Sequence, residues 1–136
     1  MAFVHSKGSA VSIDGNDLSA YANSITFGRT ADSHDVTTFG KSSRVYASGL
    51  KDSTATIEGI YDDTAETGPG AVLRPLVGAG AVELVYEPEG TGSGKPIATV
   101  DVIVTSYEES SAVGDMIMWT AELQGTDDIA DSTGGA

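Results

Sequence analysis

Few stretches of this chain carry residue types that could do chemistry, and spacing decides each case. Asp32-Ser33-His34-Asp35 gathers a histidine, a hydroxyl and two carboxylates. Neighbours along one strand or loop cannot converge on a single substrate atom, as a nucleophile, base and orienting acid must. His34 therefore reads as a solvated loop histidine, and His5 as exposed. Gly90-Thr91-Gly92-Ser93-Gly94-Lys95 has the glycines and the lysine of a phosphate-cradling loop. That loop needs a further glycine five positions before Gly94, where Glu89 stands, and Ser or Thr after the lysine, where Pro96 stands. A strand pattern succeeds it, so no helix N-terminus faces a phosphate. Asp14-Gly15-Asn16-Asp17 lacks the alternating ligands and distal glutamate of a calcium loop. The carboxylates of Glu108-Glu109 and Asp127-Asp128, being adjacent, point to opposite sides of a strand. With two histidines and no cysteine, disulfides, thiolate chemistry and cysteine-held zinc are excluded. The sequence reads as a non-enzyme with no catalytic residue, no metal ligand and no cofactor.

The elements around these stretches have a period of two. In residues 116–124, Ile117, Trp119, Ala121 and Leu123 share a face opposite Met118, Thr120 and Glu122. In residues 97–105, Ala98, Val100, Val102 and Val104 oppose Thr99, Asp101 and Ile103. Val82, Leu84 and Tyr86 alternate with Glu83, Val85 and Glu87, and residues 54–61 are a β-branched run. These are half-buried strands of an antiparallel sheet. Ile117, Trp119 and Leu123 are the expected core of the strongest strand. Val113-Gly114-Asp115 is the expected turn joining it to the Val100 strand. Asp14-Gly15 marks an early tight turn, and residues 87–96 form a glycine-rich loop. One helix is expected over residues 67–78, capped by Thr67 and kept to two turns or so by the internal Pro75.

At 136 residues the chain suits one domain. The expected fold is all-β, a β-sandwich or barrel of seven or eight strands with one short flanking helix and a long projecting loop. The domain would span residues 1–125, with a flexible acidic tail over 126–136. Residues 32–51 fit neither strand nor helix cleanly. A polar loop of that length inside a small domain is usually functional, and it reads as a projecting arm or extended hairpin. No apolar run is long enough to span a membrane. The start, Met1 to Lys7, lacks the apolar stretch of a secretory signal, so synthesis in the cytoplasm is expected.

Seven basic residues stand against 20 acidic ones, a formal charge of −13. That balance argues against gripping nucleic acid. The charge is also polarised. Residues 1–51 hold Lys7, Arg29, Lys41, Arg44 and Lys51 against Asp14, Asp17, Asp32 and Asp35, whereas only Arg74 and Lys95 balance the acids of residues 52–136. Such polarity leaves room for head-to-tail contact between identical copies.

Three segments carry a resemblance. They are Val11-Ser12-Ile13-Asp14-Gly15-Asn16-Asp17-Leu18-Ser19-Ala20-Tyr21, then Val36-Thr37-Thr38-Phe39-Gly40, and Gly49-Leu50-Lys51-Asp52-Ser53 leading into Thr56-Ile57-Glu58-Gly59-Ile60-Tyr61-Asp62. Together they resemble the tail tube (major tail) proteins of long-tailed phages with flexible, non-contractile tails, especially those of actinobacteria. The resemblance implies a virion structural protein that assembles with itself into stacked, hexameric rings around a DNA channel. A loop would reach from ring to ring, and other tail proteins such as the tape measure and tail terminator would be partners. DNA would pass through without specific binding.

On this reading Phe39, Lys41, Arg44, Val45, Tyr46 and Lys51 form the inter-ring contact of the arm. The arm, polar and sparse in apolar residues, is expected to be poorly ordered until it meets a partner. A conduit for DNA needs passage without binding, which an acidic wall provides. Glu58, Glu83, Glu87, Asp101 and Glu122, on the polar faces of strands, are the candidate lumen acids. Two alternatives stand beside it: a capsid decoration protein or other structural virion β-protein, and a small ligand-binding β-sandwich in which Trp119 and the tyrosines would be the suspects.

Overall fold

The structure, a computed structural model, describes residues 8–62, 68–90 and 92–133. Its strands are β1 (Ala10–Ile13), β2 (Asn16–Asp17), β3 (Ala22–Asp35), β4 (Tyr46–Ile60), β5 (Val82–Glu87), β6 (Pro96–Ser110), β7 (Met118–Gly125) and β8 (Ala130–Thr133). One helix, α1 (Pro69–Leu73), runs into a 3-10 turn at Arg74–Leu76. The fold is all-β: a single antiparallel sheet in the order β2-β1-β5-β6-β7-β4-β3, with β8 also paired to β6.

Local chemistry accounts for the turns. Asp14 and Gly15 both have positive φ, 51° and 79°, and Ile13 pairs with Asn16 across them. That is the two-residue hairpin turn whose twist matches its strands, and Asp-Gly is the pair that adopts it at least cost. Gly114 (φ 92°) turns the chain between β6 and β7, where the amide of Asp115 donates to the Ala112 carbonyl at 3.0 Å. The Val100 and Trp119 strands are thus antiparallel neighbours, with Val104 opposite Leu123 and Ser110 opposite Met118. Pro69 opens α1 where its missing N–H costs nothing, and Pro75 confines Arg74–Leu76 to a 3-10 turn. The residue before Pro69 is Gly68, with no side-chain cap. Thr67, expected as the cap, lies outside the described residues.

Alternation builds the core. Ala55 and Ile57 of β4, Val100, Val102 and Val104 of β6, and Trp119, Ala121 and Leu123 of β7 all point the same way and are buried. Val11 and Ile13 of β1, Leu84 of β5 and Val72 and Leu73 of α1 join the same cluster. Three strands separate β1 from β4 in the sheet, yet their side chains share one core. The sheet therefore curls round it like an open barrel, and α1 packs Val72 and Leu73 into it.

Two expectations need correction. Ile117 is not core: it lies just before β7 and is 39% exposed. Its carbonyl accepts from the Tyr61 amide at 2.8 Å, so the backbone is held while the side chain sits past the end of the sheet. Residues 126–133, expected to belong to a flexible tail, are held to the sheet. The Thr126 amide donates to the Asp101 carbonyl at 2.8 Å, and β8 then pairs with β6, from Ala130 opposite Thr99 to Thr133 opposite Pro96. β7 and β8 are in effect one interrupted strand along a single edge of β6. The arm takes the second form read from the sequence, an extended hairpin: β3 and β4 stay paired as far as Asp35 opposite Tyr46.

Candidate assembly surfaces

The arm is the outer half of the β3–β4 hairpin. β7 leaves β4 after Thr54, so β3 and β4 continue alone from Arg29 opposite Ser53 to the tip. The register slips between Ala31 and Ser33, where Gly49 and Leu50 oppose Asp32. Such a bulge increases twist and re-aims the strand beyond it. A Cβ on Gly49 would stand 2.5 Å from His34 Nε2 and 3.1 Å from Asp32 Cβ, so the side chains opposite occupy the space that only glycine leaves.

Short polar contacts hold the tip. Asp35 accepts from the Thr37 amide at 2.9 Å and from Arg44 Nη1 at 3.0 Å. The Thr37 hydroxyl accepts from the Val45 amide at 2.7 Å, and the Val36 amide donates to the Val45 carbonyl at 2.8 Å. Thr37 first, and Arg44 after it, hold the Asp35 carboxyl below the usual carboxylate range. Arg44 is thus engaged within its own arm. Phe39 stands wholly exposed, with Val36, Val45, Tyr46 and Leu50 also exposed along the hairpin; Lys41 sits at the tip, exposed like them. Lys51 belongs to the base of the arm.

At that base a groove of about 390 Å³ lies between Arg29, Lys51 and Ser53 on one side and Asp127, Asp128 and Ile129 on the other. Arg29 crosses it, bonding both carboxylate oxygens of Asp131 at 2.8 and 2.6 Å. This bidentate pair ties β8 to β3, and each partner's charged form is favoured by the other.

The second surface is the outer face of the sheet. Registers place Ser24, Glu58, Thr120 and Glu108 in one row, and Thr26, Thr56, Glu122 and Ser106 in the next. Glu83 lies directly opposite Asp101, and Glu87 opposite Ala10. All five acids singled out in the sequence therefore lie on the face turned away from the core, accompanied by Asp52 and Glu108. Among the described strand residues that face carries no lysine or arginine; between the acids it is mostly serine, threonine and small apolar residues. The nearest bases, Arg29 and Lys51, follow the core-side parity, and Arg74 and Lys95 lie off the strands.

Arg74 closes a third cluster on the opposite side. Its guanidinium donates to Glu109 at 2.6 Å and to the Tyr61 hydroxyl at 3.1 Å. Tyr107 donates to the same Glu109 oxygen at 2.9 Å. Burial, and then that hydrogen bond, push the Tyr107 pKa up. The cluster straps the 3-10 turn to β6, and its role is structural.

At the end of the sheet away from the arm, Ile60 is opposite Met118 and Met118 opposite Ser110. The β6–β7 turn projects past this row and exposes Val113, Met116 and Ile117. The clamp between Arg29 and Asp131 has no short-range signal in the sequence. The turn does: apolar residues flank Gly114-Asp115 with no pattern to bury them.

No protein-family profile and no curated protein sequence matches the chain. Solved structures do match in fold. A protein of the virion of a native gene transfer agent particle superimposes with a TM-score of 0.80 at 12% identity, covering 96% of this chain and 100% of that one. The SPP1 tail tube gives 0.74 at 9% identity, covering 98% and 81%. The tail of an empty gene transfer agent particle gives 0.71 at 13% identity, covering 83% of each. The chain shares the fold of these virion and tail structures over 83–98% of its length.

Proposed function

We propose that this protein is the structural subunit of a phage tail tube, forming stacked rings whose bore is lined by the acidic outer face and carries DNA during ejection. The carrying observation is that face. No described strand residue of that face is a lysine or arginine, so Glu58, Glu83, Glu87, Asp101 and Glu122 can line a channel without a fixed cation beside them to hold phosphate. The shared fold supports the same reading, and the C6 symmetry of the gene transfer agent tail supports rings of six. The arm is the ring-to-ring element, with Phe39, Lys41, Val45 and Tyr46 towards the next ring, Arg44 bracing the tip and Lys51 at its root. Partners at the ends of the tube are other tail proteins, among them the tape measure and terminator. The subunit is made in the host cytoplasm and resides in the virion tail.

Electron microscopy of the purified protein tests this directly. Tubes with an axial repeat of one ring are expected. Particles that bind only a capsid lattice, or monomers at every concentration, overturn it.

A further inference from the structure

Among the described residues, nearly all the large hydrophobic side chains left exposed lie at the two extremes of the hairpins. Val36, Phe39, Val45, Tyr46 and Leu50 are on the arm; Ile60, Val113, Met116 and Ile117 are at the far end; Val77 is elsewhere. The β4–β7 register puts the two groups at opposite ends of the same strand pair, Thr54 opposite Gln124 towards the arm and Ile60 opposite Met118 away from it. Exposed apolar patches on a small domain mark contacts. Two different patches at opposite ends make a heterologous pair, which propagates from copy to copy instead of closing.

We propose that the far end, formed by the β6–β7 turn and Ile60, is the receptor for the arm of a second copy of this chain. The inference rests on the tube reading and names the contact within it. Charge agrees with shape. The tip offers Lys41, Arg44 being held by Asp35, whereas the far end carries Asp115 next to Met116 in its turn. Length agrees too. The paired part of the arm, Arg29 to Asp35, extends about 20 Å past the last row shared with β7, at roughly 3.3 Å per residue. An arm of that reach overlaps the end of a neighbour stacked in line. Phe39 would seat against Val113 and Met116, and Lys41 against Asp115. The rival receptor is the groove at the arm's own base, which Asp127 and Asp128 also make acidic.

The chain has no cysteine, so engineered thiols report contacts unambiguously. Phe39→Cys, Met116→Cys and Asp128→Cys, all at exposed positions, are treated with a short bis-maleimide under conditions where the parent forms tubes. A mixture of the Phe39→Cys and Met116→Cys chains should give a covalent dimer and nothing longer. The Phe39→Cys/Met116→Cys double variant should give a ladder of covalent oligomers. Coupling of Phe39→Cys to Asp128→Cys in place of Met116→Cys, or to neither while tubes form, overturns this contact and leaves the tube reading standing. If the parent forms no tubes at all, both fall.

Discussion

The rings of Phe27 and Tyr86 stack at 5.5 Å with only 13° between their planes, although β3 and β5 are four steps apart in the sheet. A flat sheet would hold those strands about 19 Å apart at roughly 4.8 Å per step. The stack is therefore the seam where the curled sheet meets itself without backbone hydrogen bonds. Arg29 adds to it, its guanidinium 5.8 Å from the Phe27 ring centre. A double-mutant cycle on Phe27→Ala and Tyr86→Ala should give a coupling of about 0.5–1.5 kcal/mol, the usual worth of an aromatic pair beyond burial. Additive losses in chemical denaturation would show that the rings close nothing.

The Arg29–Asp131 clamp holds β8 where residues 126–133 could otherwise leave the domain. Both side chains are half exposed or more, so global stability should move little when it is cut. The local readout is hydrogen exchange at residues 130–133. Arg29 lowers the pKa of Asp131, so the pairing is fully present well above the ordinary carboxylate value and is lost as pH falls through the lowered one. Protection of β8 should thus decline at low pH, and Arg29→Ala should reproduce that loss at neutral pH. Equal protection in both proteins across the range would remove the clamp from the account.

Gly49 sets the direction of the arm. Gly49→Val places a branched side chain against the His34 ring and Asp32 Cβ, so the His34 ring must swing aside and the bulge must give at Asp32, which re-aims the hairpin beyond it. The site is remote from the core, and the midpoint of thermal unfolding should change by no more than a few degrees. Polymerisation should fall sharply. Normal tube length from this variant would mean that the arm's aim does not matter.

Period-two patterning was legible because burial on one face is a local consequence of strand geometry. It located β5, β6 and β7 and placed Trp119 and Leu123, both almost fully buried. Trp119→Ala should accordingly cost about 3–5 kcal/mol in denaturant unfolding, and a variant as stable as the parent would contradict the packing. Ile117 has the same parity as Trp119 but lies past the last core row, and alternation does not say where a core stops. The arm carries no burial pattern either: its hairpin rests on backbone pairing and the Asp35–Thr37–Arg44 contacts, with little burial to mark its strands in the sequence. The clamp joins residues about a hundred positions apart, and β8 pairs with a strand that lies two turns back along the chain, both beyond the reach of any local pattern. The outer-face acids were recognisable singly from alternation; that they share one face required the register.

Glu83 and Asp101 stand directly opposite each other on that face. Like charges so placed oppose folding by a few tenths to about 1 kcal/mol, and no base among the described strand residues of that face relieves them. A sequence shaped for subunit stability alone would alternate the signs. Glu83→Lys converts the repulsion into attraction, so the isolated subunit should become more stable by about 0.5–1 kcal/mol in denaturant melts. The same change sets a ring of lysines along the proposed bore. DNA passing there would release counterions on contact, and its retention should fall steeply as salt rises. The variant should therefore melt higher, assemble normally and eject DNA more slowly at low salt than at high salt. Ejection matching the parent at every salt concentration, with tubes intact, would place Glu83 and Asp101 outside the channel and leave their opposition without a role in DNA passage.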